Sequence, residues 1–169
     1  MSENGQDKQA ANGAQAAEPQ KSPTLAIIRQ YVKDLSFENP NAPDSLSPEK
    51  GAPAVTMAVN IQAKAVGENL YEVELRIEAK GQHDEAPAFV VELVYGGLFQ
   101  LMNFPADTME LVCMIECPRL LFPFARRVIA DATRDGGFSP LLLDPIDFAN
   151  LFRDHKAQQT AQQAPAGTA

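Results

Sequence analysis

A chain of 169 residues with a formal net charge of −8 holds about one domain, and its acidity argues against polyanions as default partners. Nucleic acid and anionic membrane both call for patches of lysine and arginine. The acidity sits in the body of the chain: residues 25–152 carry 18 acidic and 10 basic side chains, so 10 − 18 = −8. Such a body suits a partner with a basic surface, and an acidic surface more often serves solubility alone.

The first 24 residues (MSENGQDKQAANGAQAAEPQKSPT) and the last twelve (QQTAQQAPAGTA) hold almost nothing that folding would bury. Both ends are therefore expected to be disordered, residues 1–24 as an extension and 158–169 as a tail. One core of ordinary size, residues 25–157, is left. No apolar run reaches the ~20 residues of a membrane span, and the N-terminus lacks the basic and apolar regions of a signal peptide. Cys113 and Cys117, four residues apart, make no disulfide framework, so a reducing, cytoplasmic setting is expected.

A first strand is expected over residues 26–37. Counted in twos, one face carries Ile27, Tyr31, Leu35 and Phe37, interrupted by Arg29 and Lys33; the other carries Ile28, Val32, Asp34, Ser36 and Glu38. Asp34 and Glu38 thus share a face, roughly 13 Å apart at ~3.4 Å per residue. That exceeds the separation of the two carboxylates of a glycosidase, so this pair reads as two points of a docking surface. A proline-rich loop, NPNAPDSLSPEKGAP, follows to residue 53.

The second strand, residues 54–65, puts Val55, Met57, Val59, Ile61 and Ala63 on one side. The third, 70–80, alternates most clearly, with Tyr71, Val73, Leu75 and Ile77 inward and Glu72, Glu74, Arg76 and Glu78 outward. The fourth, 88–97, has Phe89, Val91, Leu93 and Tyr95 on its apolar side and Val90, Glu92 and Val94 on its outer side. Gly96-Gly97 is expected to reverse the chain there. Short turns between strands two, three and four imply an antiparallel meander with one wet face.

Helices follow. Asp107, with Glu110 three residues on, resembles a capping box opening a helix to residue 117. A second helix is expected within 118–137, with Leu121, Phe122, Ala125, Val128, Ile129 and Ala132 at helical spacing and Gly136 as its C-cap. The last opens at Asp144, with Pro145 in its first position, Asp147 at N3, and a face of Phe148, Leu151, Phe152 and His155. Strands then helices spell α+β: a four-stranded antiparallel sheet with helices packed on one face.

Catalytic patterns are missing. His83 and His155 lack neighbours at metal or triad spacing, the cysteine spacing is not that of a zinc site, and neither a dinucleotide loop nor a phosphate-binding Gly-Lys-Ser/Thr occurs. No cofactor or metal is expected. A small-molecule enzyme on an α+β scaffold is the alternative from another class, and a deep polar pocket with convergent titratable groups would mark it. Apolar material instead exceeds what a small core needs: Ile28, Val32, Val90 and Val94 on outer faces, then RLLFPF, FSPLLLDP and FANLF. Such excess points to self-association or a binding surface.

Several motifs in order resemble one family. They are Tyr31-Val-Lys-Asp34-Leu-Ser36-Phe37-Glu38 with Pro40-Asn41-Ala42-Pro43; Tyr71-Glu72-Val73 with Leu75-Arg76; Gly96-Gly97; Cys117-Pro118; Leu121-Phe122-Pro123-Phe124-Ala125-Arg126; and Leu143-Asp144-Pro145-Ile146-Asp147-Phe148 with Leu151-Phe152. Together, over roughly residues 28–152, they resemble SecB, the bacterial protein-export chaperone. The resemblance implies a cytoplasmic homotetramer, a dimer of dimers, that binds unfolded preproteins without ATP and passes them to the motor SecA. By position it implies SecA binding at Asp34, Glu38, Val90 and Glu92, and an effect on assembly at Val91, Leu93 and Tyr95. A SecB-like chaperone for one dedicated client, such as an antitoxin, is the alternative within the class. Two features depart from the family pattern: the long N-terminal extension, and Gly51-Ala52-Pro53 where members often carry an aromatic residue.

Overall fold

The computed structural model describes residues 21–163. Four strands, β1 (Thr24–Glu38), β2 (Ala54–Gly67), β3 (Leu70–His83) and β4 (Ala86–Met102), form one antiparallel sheet in the order β1-β4-β3-β2. The meander β2-β3-β4 is as expected from its short turns; Asn69 (φ 56°) and Asp84 (φ 53°) supply their left-handed residues, a conformation Asn and Asp tolerate best after glycine. The loop 39–53 carries the chain from β1, on one edge, to β2 on the other.

One face of the sheet is covered by helix. Helix α1 (Met109–Leu111) passes through a π-helical stretch, Val112–Glu116, into α2 (Cys117–Asp135), and α3 (Phe148–Gln163) follows a loop. Val73, Leu75, Ile77, Val91, Leu93, Phe99 and Leu101 from the sheet meet Leu121, Ala125, Ile129 and Phe148 from the helices, all of them buried. Each of these side chains except Ala125 contributes about 1.5–3 kcal/mol on burial. The architecture is the expected α+β one.

Four local expectations give way. Gly96-Gly97 does not reverse the chain; β4 runs straight through both to Met102. The glycines are there for space: a Cβ on Gly96 would lie 2.5 Å from the Tyr31 ring, and one on Gly97 2.6 Å from Phe99 and 2.7 Å from Leu121. The two expected helices at 107–117 and 118–137 form one continuous run, with a π-helical stretch, Val112–Glu116, where the first was expected to end and Pro118 just after it. Asp107 does not cap; the residue before α1 is Thr108, whose hydroxyl donates to the Pro105 carbonyl at 2.9 Å. Gly136 is the C-cap of α2 as expected, though without a left-handed backbone (φ −72°), and a Cβ there would sit 2.1 Å from the Phe37 ring. The last helix begins at Phe148 rather than Asp144, with the Asp147 carboxylate accepting the Asn150 N–H at 3.0 Å. The chain before it stays out of helix, with Leu143 buried and Ile146 packed on the core.

Helix α3 runs on to Gln163, six residues past the expected boundary at 157. Residues 1–20 and 164–169, and with them most of the expected disorder, lie outside the described residues.

The faces of β1 need a larger correction. Its pairing with β4 contains two bulges, with Ile28 and Lys33 as the extra residues. Each extra residue inverts the alternation. Between them, Tyr31 pairs with Gly96 on the outer face, while Val32 pairs with Tyr95 on the helix side, the reverse of simple counting. Beyond the second bulge the parity is restored. Asp34, Ser36 and Glu38 then pair with Val94, Glu92 and Val90.

Candidate functional site

The wet face of the sheet can be laid out in rows, because paired residues share a face. One row runs Glu38, Val90, Lys80, Thr56; the next Ser36, Glu92, Glu78, Ala58; the third Asp34, Val94, Arg76, Asn60. Asp34, Glu38, Val90 and Glu92 therefore lie together on one side of the sheet. Glu92 stands across from the midpoint between Asp34 and Glu38, about 8 Å from each at ordinary strand spacings. All three carboxylates are exposed, and Val90 is half-buried among them.

What distinguishes these three is that, among the described residues, none forms an ion pair. The other acids of the face do. Glu72 accepts from Lys33 at 3.0 Å, Lys64 at 2.7 Å and the Tyr31 hydroxyl at 2.5 Å, Glu74 is paired with Lys33, and Glu78 with Lys80 at 2.5 Å. The bonds from Lys64, Tyr31 and Lys33 pull Glu72 down to about 2. Burial, with the bond to Glu72, pushes the Tyr31 hydroxyl up to about 12. One end of the face is thus neutralised internally, and the other keeps charge available for a partner.

Val91, Leu93 and Tyr95 alternate with these residues on β4 and point the other way. Val91 and Leu93 are wholly buried beneath the helices and Tyr95 nearly so, within the core of this one chain. The structure does not bring them to the protomer's surface.

A second site was not visible in the sequence. The loop 45–53 and the α2–α3 connection face each other across a cleft of about 420 Å³, walled by Leu46, Pro48, Val55, Phe89, Phe138 and Leu141. Phe138 packs on Phe89 with ring centroids 5.0 Å apart. Polar anchors hold the loop: the Asn41 amide donates to the Pro87 carbonyl at 2.8 Å, the Ser45 hydroxyl to the Asn39 side chain at 2.6 Å, and the His83 ring lies 3.2 Å from the Ser45 carbonyl. The apolar run FSPLLLDP was the available signal, but which loop it faces depends on the fold. From the cleft, the helix side of edge strand β2 continues as a partly open apolar strip, with Val55 and Met57 exposed. A smaller cavity of about 40 Å³ by Val59, Ile61, Leu151 and Phe152 lies farther along it. His155 lines that cavity. Among the described residues no three metal-ligating side chains cluster, and no helix there is long and apolar enough to cross a membrane.

Comparison with known proteins agrees with this architecture. The family described as preprotein translocase subunit SecB matches residues 18–159. The protein-export protein SecB of Maricaulis maris is 54% identical over 141 residues, covering 83% of this chain and 82% of that one. The protein-export protein SecB of Nitrobacter hamburgensis is 50% identical over 146 residues, 86% of this chain and 92% of that one. Among solved structures, a Mycobacterium tuberculosis SecB-like chaperone in complex with a peptide from the HigA1 antitoxin superposes with a TM-score of 0.57 at 14% identity, covering 72% of this chain and 90% of that one. With half its residues shared with these relatives over most of its length, the chain belongs to the SecB family of protein-export chaperones.

Proposed function

We propose that the protein works as a passive holdase, a cytoplasmic homotetramer that binds unfolded preproteins and hands them to SecA through the outer face of its sheet. The observation that carries the client-binding part is the open apolar cleft at the loop 45–53, continuous with the exposed Val55 and Met57 of edge strand β2. An extended chain lying there meets apolar walls and a free backbone edge, and neither demands a particular sequence. Ligand that binds only the unfolded client shifts its folding equilibrium by mass action, without nucleotide.

The handover part is supported by Asp34, Glu38 and Glu92, exposed around Val90 and without an ion pair among the described residues, which suit a basic surface on SecA. Assembly is supported by apolar surface left uncovered on the helix side of β1 (Ile27, Val32 and Leu35) and on α2, where Leu120 and Phe124 stand one turn apart and exposed. Val91, Leu93 and Tyr95 would influence assembly indirectly, by seating α2 on the sheet.

The test is capture of a reduced, denatured preprotein, followed by native mass spectrometry, with and without ATP. Capture by a tetramer in both conditions is expected. A strict ATP requirement, or a monomer at micromolar concentration, would overturn the reading.

A further inference from the structure

Lys33 and Asp34 are neighbours of opposite charge, and only one of them can stand opposite Val94 on the outer face. In the structure it is Asp34, because Lys33 is the extra residue of the second bulge. Moving the bulge by one residue would make Asp34 the unpaired one and set Lys33 opposite Val94. The flanking pairs, Val32 with Tyr95 and Leu35 with Leu93, would be unchanged. The residue pairs on either side therefore do not decide between the two arrangements, and both keep the apolar residues on the helix side.

Side chains do decide. From the bulge, the Lys33 ammonium bonds Glu72 and Glu74 on β3, reaching across β4. The reach is open because Gly96 has no side chain there and the Tyr31 ring lies over it, its hydroxyl 2.5 Å from Glu72. The side chains of Glu72 and Glu74 are only 12% and 17% exposed, so both carboxylates need their cations. In the shifted arrangement Lys33 would leave them for the row that holds Arg76, a like charge. The movable segment is short. Tyr31 over Gly96 pins one end, and Phe37 pins the other, against Gly136 and stacked 6.0 Å from Phe89. Asp34 lies between these pins and Glu38 lies beyond them.

We infer that Lys33 and Tyr31, held by Glu72 and Glu74, are positioning residues that select Asp34 over Lys33 for the place opposite Val94, in the row between Glu38 and the neutralised end of the face. The inference rests on the reading of that face as the SecA surface. It separates from simple charge counting by sign. Lys33→Met removes a cation beside an acidic surface, which by charge alone tightens binding to a basic partner. If Lys33 holds the bulge, the same change weakens it.

Purified SecA affinity is measured for the full chain and for Lys33→Met, Asp34→Asn, their double variant and Glu38→Lys, with native mass as a check on assembly. Lys33→Met is expected to weaken SecA binding roughly two- to fivefold. Asp34→Asn should then cost nothing further in that background, while Glu38→Lys still weakens binding. Cross-strand nuclear Overhauser contacts to Val94 report the register without any partner: from residue 34 in the native chain, from residue 33 as well in Lys33→Met. An unaltered Val94 contact, or SecA binding as tight as native, overturns the inference. A shifted contact with Glu38→Lys binding SecA normally overturns the docking reading and leaves the register device standing.

Discussion

Glu78 and Glu92 stand directly opposite each other on neighbouring strands of the outer face. Directly opposed like charges destabilise a sheet, typically by a few tenths of a kcal/mol to about 1. Lys80 offsets part of this by bonding Glu78 at 2.5 Å, but Glu92 has no ion pair among the described residues. Keeping Glu92 there costs the fold something. Glu92→Gln should raise unfolding stability by a few tenths of a kcal/mol and weaken SecA binding roughly two- to fivefold. Denaturant titration and SecA affinity on the same sample check both signs. A variant that loses stability would assign Glu92 to the fold instead.

The cleft makes a separate prediction. Leu46 and Val55 line it and are both about 40% exposed, at 39% and 40%. Leu46→Asp and Val55→Asp place a charge in the groove without emptying the core. Capture of a denatured preprotein should fall severalfold, with tetramer mass and SecA affinity retained. Equal capture by both variants would move the client site elsewhere.

Leu93 tests the indirect route to assembly. It is wholly buried under the helices, so Leu93→Ala should cost about 2–5 kcal/mol of stability. Loss of tetramer is expected to track that loss across a denaturant series measured by native mass. Dissociation of a variant as stable as the native chain would mean that Leu93 acts on the interface itself.

The ion network predicts two pH limits. Glu72 titrates near 2 when folded, against an ordinary 4.5. Its contribution is therefore present above about 4.5 and is lost as pH falls toward 2. Tyr31 works in the opposite direction: its neutral hydroxyl is retained to about 12 rather than 10, so its contribution is full below 10 and lost as pH rises through 12. The stability difference between the native chain and Glu72→Gln, about 1–2 kcal/mol at neutral pH, should shrink toward zero in acid. The difference from Tyr31→Phe should shrink in alkali, and in acid as well, because its partner is the Glu72 carboxylate. Unfolding titrations at several pH values decide it.

Much of this molecule is written in local periodicity. Alternation along 70–80 is a property of one strand, visible because successive side chains point to opposite faces wherever the strand later pairs. The same count placed Asp34, Glu38, Val90 and Glu92 on outer faces, where the pairing with β1 and β3 also has them. What the count missed at Tyr31 and Val32 depends on the neighbouring strand. A bulge exists only where two residues oppose one, so the inversion between Ile28 and Lys33 has no signature along β1 itself. Gly96 shows the same limit. A glycine pair reads as a turn until the ring of Tyr31, 65 residues earlier in the chain, is laid across it. The cleft likewise joins Leu46 to Phe138, segments with no local bias toward each other. The sequence alone determined which residues are apolar, acidic or helical, because those preferences are short-ranged. Only the tertiary structure decided which of them meet, because close approach and strand register are set by partners far along the chain.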